Sequence, residues 1–293
     1  MQLTDPANLQ WVDGVPHRAT AINLKMLVEQ DGVQLTLSEI HDTTTRSPRH
    51  RHNFDQIRIG LEGVGTYGRG REIRERMIGY FPEGTRYGPQ GVTRVPNTQA
   101  VLQFEGASGS RYLAAAVADE STATLRRTGQ FRNGLYFAHG AQRGVDAFQA
   151  VWEHAVGRAM VYPAPRYEDP VYLYVDAFAY LPTGTPGVAK KVLGVFGERE
   201  LSLRMVRLRR DAEVVVGDAR QRCISFVLGG TVQVGPDRLG QWSAIYTDPD
   251  ERAVVAAPDG EVELVEIVLP LRAEPGRRRA TATTGGVCAA VTV

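Results

Sequence analysis

The sequence predicts an all-β-dominated protein: a duplicated strand-rich unit whose two copies, each an antiparallel barrel, are joined by a connector with one short helix. Three observations predict it. Short alternating apolar and polar stretches are punctuated by 31 Gly and 16 Pro among 293 residues, the pattern of strands and tight turns. A single segment carries helical spacing instead. Elements of the first strand-rich part recur in the second at a nearly constant offset.

In chain order, the first unit is expected within residues 1–118, with its strands from about 15 onward. Val33, Leu35 and Leu37 alternate there with Gln34, Thr36 and Ser38, so one face is apolar and the other polar. The connector spans 119–187. In it Phe148, Val151, Trp152, Ala155 and Val156 fall at helical spacing, Asp146 with Gln149 resembles a capping box, and Gly157 supplies a stop, which predicts a helix over about 146–157. The Pro- and Tyr-rich stretch Tyr162-Pro-Ala-Pro-Arg-Tyr167 reads as an ordered connection. The second unit, 188–270, includes Val214-Val215-Val216 before Gly217. Residues 271–293, rich in Arg, Thr, Ala and Gly, hold too little apolar surface to pack and read as a disordered tail.

The repeat is specific in its order. Leu61-Glu-Gly63 superposes on Leu228-Gly-Gly230, and Pro82 on Pro249, at an offset of 167; Val33, Leu35 and Leu37 match Leu201, Leu203 and Met205 at 168. One single-residue gap reconciles the two.

Composition narrows the function. With 34 Lys+Arg against 33 Asp+Glu the formal charge is +1, so nothing draws the whole chain to nucleic acid or an anionic membrane. The two cysteines, Cys223 and Cys288, exclude a disulfide scaffold and a Cys-x-x-Cys zinc site. The first residues lack a signal peptide's basic start and apolar stretch, and no apolar run is long enough to span a bilayer. A cytoplasmic protein binding a small molecule is expected, without nucleic-acid or membrane partners and with a homodimer as its candidate assembly.

The chemistry concentrates in Pro48-Arg-His50-Arg-His52-Asn-Phe-Asp-Gln56. Residues two apart on a strand share a face, so His50 and His52 can aim at one point, and Gln56 has the same parity. Two imidazoles and a side-chain oxygen make a facial set for a first-row divalent metal.

These residues resemble the cupin superfamily. Its first motif is His-x-His, then three or four residues to a Glu, then six to a Gly; His50, His52, Gln56 and Gly63 fall at that spacing, with Gln replacing Glu. Its second motif, Pro-x-Gly-x-x-His, is matched by Pro82-Glu-Gly84-Thr-Arg-Tyr87, with Tyr replacing His. The resemblance implies a bicupin, two antiparallel jelly-roll barrels in one chain. It also implies a metal at His50, His52 and Gln56, with Fe(II) favoured and Zn, Mn or Ni as alternatives. In the second unit the corresponding positions are Gly217, Ala219, Cys223 and Val254, which imply no metal, and Cys223 reads as a small buried residue.

An all-neutral ligand set leaves the metal its full charge, which favours an anionic or enolic substrate. Tyr87 is the candidate catalytic acid or base, and Phe54, Tyr67, Tyr80, Gln90 and His41 are candidates for the substrate pocket. For His41 a plain hydrogen-bonding role is the alternative, and His17 has no partner spacing at all. Arg69, Arg71, Arg74 and Arg76 mark a solvated hairpin. A non-heme iron oxygenase is the leading expectation, a metal-dependent cyclase, isomerase or lyase the first alternative, and a non-catalytic ligand-binding bicupin the second.

Overall fold

Residues 1–14 and 22–271 are described in a computed structural model; His17 and the expected tail from 272 onward lie outside the described residues. Two large antiparallel sheets pack face to face. One runs in the order Val171–Tyr174, Met77–Phe81, Asp55–Tyr67, Gln90–Phe104, Val33–Ile40, Ile22–Gln30 and Val12–Gly14. The other runs Gln2–Thr4, Ala244–Thr247, Cys223–Gly229, Val262–Val268, Leu201–Leu208, Val188–Phe196 and Leu181–Pro182. A four-stranded sheet containing Glu213–Val216 and Ala253–Ala256 closes the second barrel, giving the expected all-β, two-barrel architecture.

Strict alternation gives each strand two destinations. In the first barrel Leu35, Leu37, Ile57, Ile59, Leu102 and Phe104 enter a core shared with the second. There they meet Leu203, Met205, Ile224, Phe226, Val265 and Ile267. The repeat therefore marks the dyad-like seam of the molecule, because its apolar matches are the residues that join the two sheets. Leu61-Glu-Gly63 and Leu228-Gly-Gly230 match for a second reason. Gly63 and Gly230 adopt φ of 70° and 86°, and a Cβ at either would strike the backbone of the neighbouring strand, so only glycine fits these bends.

The opposite faces separate the two barrels chemically. Val206, Leu208, Val227, Val255 and Leu264 fill the second with a dry aliphatic core. The corresponding face of the first carries Gln34, Thr36, Gln56, Arg58, Gln99 and Gln103 and lines a cavity.

Strands cross the boundaries drawn from sequence. Gln2–Thr4 pairs with Ala244–Thr247 of the second barrel, and Val171–Tyr174, from the connector, pairs with Met77–Phe81 of the first. Arg76, expected on a solvated hairpin, instead reaches across the seam to Asp176 and Glu263 at 2.8 and 2.6 Å.

The helix Ala147–Val156 is capped by Asp146, whose Oδ1 accepts from Gln149 N at 3.1 Å, and ends at Gly157 with φ 71°. The Gln149 side chain does not close a capping box; its Nε2 donates to Glu153 at 2.9 Å. A second helix, Ala115–Leu125, packs beside it. Its buried residues are Ala118, Ser121 and Thr122, which leave no apolar stripe for periodicity to detect. No helix among the described residues is long and apolar enough to cross a membrane.

Candidate functional site

The segment before the strand Asp55–Tyr67 is tied to the second motif by its backbone. His50 N donates to Tyr87 O and Tyr87 N to His50 O, both at 3.0 Å, while Gly84 N donates to His52 O at 2.8 Å. These bonds bring together the aromatic side chains of two separate motifs. The His50 and His52 ring centres lie 5.0 Å apart, and Tyr87 is 4.5 Å from His50 and 5.9 Å from His52. All three side chains are buried.

His50 Nδ1 lies 2.7 Å from Pro48 O. A carbonyl only accepts, so Nδ1 carries a proton, and in the neutral tautomer the lone pair falls on Nε2. His52 stacks on Phe54 at 4.5 Å and meets the edge of Phe148 at 5.6 Å. It is held by packing with a satellite aromatic cluster.

A polar chain of fixed direction runs along the cavity wall. Arg58 Nε donates to Gln56 Oε1 at 2.8 Å and Arg58 Nη1 to Tyr67 OH at 2.9 Å. Tyr67 OH donates to Gln99 Oε1 at 2.6 Å, Gln99 Nε2 to Asn97 Oδ1 at 3.2 Å, and Asn97 Nδ2 to Glu62 O at 3.1 Å. A guanidinium that only donates stands at one end and a carbonyl that only accepts at the other, so every group between them is oriented. Tyr67 reaches Gln99 from the far end of the bent strand Asp55–Tyr67 and spans the barrel.

Burial disfavours the charge on Arg58, yet the Tyr67 and Tyr87 hydroxyls outweigh it and raise the pKa above the ordinary value. The guanidinium also lies 5.1 Å from the Tyr67 ring and 5.7 Å from that of Phe81. Among the described residues no carboxylate pairs with Arg58, and none lines the cavity. The cavity opens to solvent, and about 880 Å³ of space free of protein atoms lies within it and its mouth together. Arg58 is the one permanently charged group on its described walls. In the second barrel, by contrast, Arg204 is neutralised by Glu266 at 2.7 Å.

Behind the motif strand, Asp55 is buried with Oδ1 accepting from Glu83 N at 2.7 Å and Oδ2 from Tyr80 OH at 3.2 Å. Burial pushes its carboxyl up to about 6, against the opposing Glu83 hydrogen bond and Arg166. Arg166, from the Pro-rich connection, also reaches Glu83 at 3.2 Å, which anchors that segment beside both motifs.

The sequence-derived candidates divide accordingly. His52, Gln56, Tyr67 and Gln90 line the cavity. His50 abuts His52, and Tyr87 lines an adjoining pocket with Arg49, Arg71 and Arg86, in which Tyr67 is the shared wall. Phe54 is not on the cavity wall and belongs to the cluster behind His52. Tyr80 is corrected as a pocket residue: it pairs in register with Ile57 and so points into the seam between the barrels. His41 is corrected too, since it is exposed and bonds Glu39 at 2.6 Å at the surface.

Gln56 departs from the expected metal ligand because its oxygen is engaged by Arg58. Arg58 itself was missed, although a charged residue two positions after an inward Gln on the same strand was the available signal. Cys223 is buried, and burial pushes its thiol up to about 12, so it is not a nucleophile.

For a divalent metal, His50 and His52 fit two adjacent ligand positions, given their separation and the His50 tautomer. No group of three His, Cys, Asp or Glu side chains converges among the described residues.

No protein-family model and no curated protein sequence matches the chain. Solved structures do. A candidate dioxygenase from Nostoc punctiforme is similar at 13% identity and a TM-score of 0.59, over 93% of this chain and 87% of that one. Oxalate decarboxylase from Bacillus subtilis, described with Mn(II) centres, is similar at 9% identity and a TM-score of 0.55, over 94% of this chain and 78% of that one. Both likenesses are of the fold, over nearly the whole of this chain.

Proposed function

We propose that the first barrel is the active site of a metal-dependent enzyme acting on a small anionic molecule, a carboxylate or an enolate. One observation carries the reading: Arg58, a half-buried cation without a carboxylate partner among the described residues, is the permanent charge on a cavity wall otherwise made of neutral groups. A cation drawn partly out of water into a wall of neutral groups favours a counter-charge, and a ligand anion supplies it. The Gln56 amide, fixed by Arg58, adds a second donor through Nε2.

His50 and His52 would hold the metal, which when bound supplies Lewis-acid polarisation of a substrate oxygen or, as Fe(II), the electrons for oxygen chemistry. Arg58 binds and orients the anion so that its reacting end lies against His52. The Phe54, Phe148 and Trp152 cluster shields that side from water. The Tyr67 proton is committed to Gln99, so Tyr67 is a positioning residue. Tyr87, beside both imidazoles, is the group placed to hold or deliver a proton.

Oxygenation at Fe(II) is our first reading, supported by the likeness to a candidate dioxygenase. Mn(II) is the first alternative metal, supported by the oxalate decarboxylase likeness. Tyr87 beside the imidazoles, 4.5 Å from His50 and 5.9 Å from His52, favours, as second reading, a cyclase, isomerase or lyase that uses its phenol as acid or base. A non-catalytic ligand-binding barrel would retain the Arg58 site without needing His50 and His52.

Elemental analysis of protein purified without added metal, followed by oxygen uptake with small enolic and phenolic acids, separates these. A stoichiometric metal lost in His50→Ala and His52→Ala supports the enzyme. Anion binding by metal-free protein, unchanged in both variants, would leave only the binding protein.

A further inference from the structure

The walls of the first barrel carry more hydrogen-bonding capacity than a simple anion uses. Gln34, Gln56, Gln90, Asn97, Gln99 and Gln103 all line the cavity. Three of them form a row: Gln34 pairs in register with Gln103, and Gln103 with Gln56, across three adjacent strands. The next row holds Thr36, Val101 and Arg58 in the same manner. A sheet face of this composition inside a barrel whose twin is filled by Val and Leu is poor packing and good recognition.

The directions of the unmet groups define what is recognised. Asn97 and Gln99 are spent on the chain that begins at Arg58, and Gln34 Nε2 donates to Glu29 at 3.2 Å. Gln56 Nε2 and Gln90 Oε1 are buried without a hydrogen-bond partner among the described residues. Gln56 Nε2 and the remaining Arg58 N–H groups can only donate, so they require acceptors such as carboxylate oxygens. Gln90 Oε1 can only accept, so it requires a donor, which a carboxylate lacks and a hydroxyl has.

We infer that the ligand of this cavity is a hydroxylated aliphatic carboxylic acid of the sugar-acid type. Its carboxylate sits on Arg58 and Gln56, and its hydroxyls donate to Gln90 and exchange hydrogen bonds with Gln103. This inference rests on the proposed anion site and names its substrate class. A plain fatty acid would leave Gln90 Oε1 buried and unpaired, and a neutral sugar would leave Arg58 without a counter-charge. A flat aromatic acid without hydroxyls would also leave Gln90 Oε1 unpaired, and Tyr112 and Phe148 on the wall already stack on each other at 5.1 Å.

The test is calorimetric titration of the full chain with glucuronate, galacturonate, gluconate, glucose, hexanoate and benzoate at constant ionic strength. At least one sugar acid should bind at least about tenfold more tightly than glucose and than hexanoate or benzoate, because a site built to bond a hydroxyl discriminates against analogues lacking it. Arg58→Met should reduce that sugar acid to the level of glucose, and Gln90→Leu to the level of hexanoate, leaving hexanoate itself unchanged. Gln103→Leu gives an independent reading if Gln90→Leu fails to fold by circular dichroism. Hexanoate or benzoate binding as tightly as every sugar acid, with Arg58→Met weakening both, would overturn the sugar-acid assignment while leaving the anion site standing. Acids no tighter than glucose and indifferent to Arg58→Met would overturn the anion site as well.

Discussion

Arg58 Nε donates to Gln56 Oε1 at 2.8 Å, and this contact turns the amide so that its donor, not its oxygen, is left for the cavity. Gln56, expected among the metal ligands, thus spends one lone pair of its oxygen on a guanidinium.

Gln56→Glu tests that pairing. The new carboxylate should form an ion pair with Arg58 and neutralise the cavity, so affinity for a small anion should fall at least about tenfold, the loss of a charge-assisted hydrogen bond. Titration with the same anion checks it. Tighter metal retention with undiminished anion binding would instead return position 56 to the ligand set.

His50→Ala and His52→Ala should each abolish metal retention and activity together, because each removes one of few neutral donors. Metal content by mass spectrometry beside a turnover assay checks this. Full activity in both variants would end the metalloenzyme reading.

Tyr87→Phe should fold normally, since its bonds to His50 run through the backbone. Metal content should stay near that of the parent while turnover drops by about 10²- to 10⁴-fold, the usual worth of a general acid or base. Substantial metal loss would make the phenol oxygen a ligand.

Asp55 gives a pH prediction. Its carboxyl is raised to about 6 from the ordinary 3.8, so the folded state holds the proton more tightly. The group therefore contributes stability that is complete below about pH 4 and lost as pH rises through about 6. The groups facing it are Glu83, Arg166 and Tyr80. Asp55→Asn should be less stable than the parent near pH 4 and gain on it toward pH 7, by on the order of 2–3 kcal/mol across that window. Urea midpoints at both pH values check the sign. A parent that gains on the variant with rising pH would show that Arg166 holds the carboxylate ionised.

Leu203→Ala removes a fully buried side chain from the core common to both barrels and should cost about 2–5 kcal/mol. Because that core belongs to both units, calorimetry should record one transition moving to lower temperature. Two separated transitions, only one of which shifts, would mean that the barrels unfold independently.

What the sequence determined by itself was set by local rules. Alternation in Val33–Ile40 and Asp55–Tyr67 made these residues strands with opposite faces, and the helix over Ala147–Val156 was legible from its spacing, its Asp146 cap and its Gly157 stop. The glycines at 63 and 230 signalled matching bends, and the spacing of His50, His52 and Tyr87 brought two motifs under suspicion together. Tertiary structure decided the rest, because a period-2 pattern states that two faces differ without stating what each will meet. Only packing assigned the Ile57 face to the seam and the Gln56 face to a cavity. The same pairing sent Tyr80 with Ile57 and away from the pocket. Only the bend of Asp55–Tyr67 brought Tyr67 across the barrel to Gln99 and Arg58. Arg58 carried no signal of its own in the sequence; only folding set it, half-buried, on a cavity wall with no carboxylate among the described lining residues.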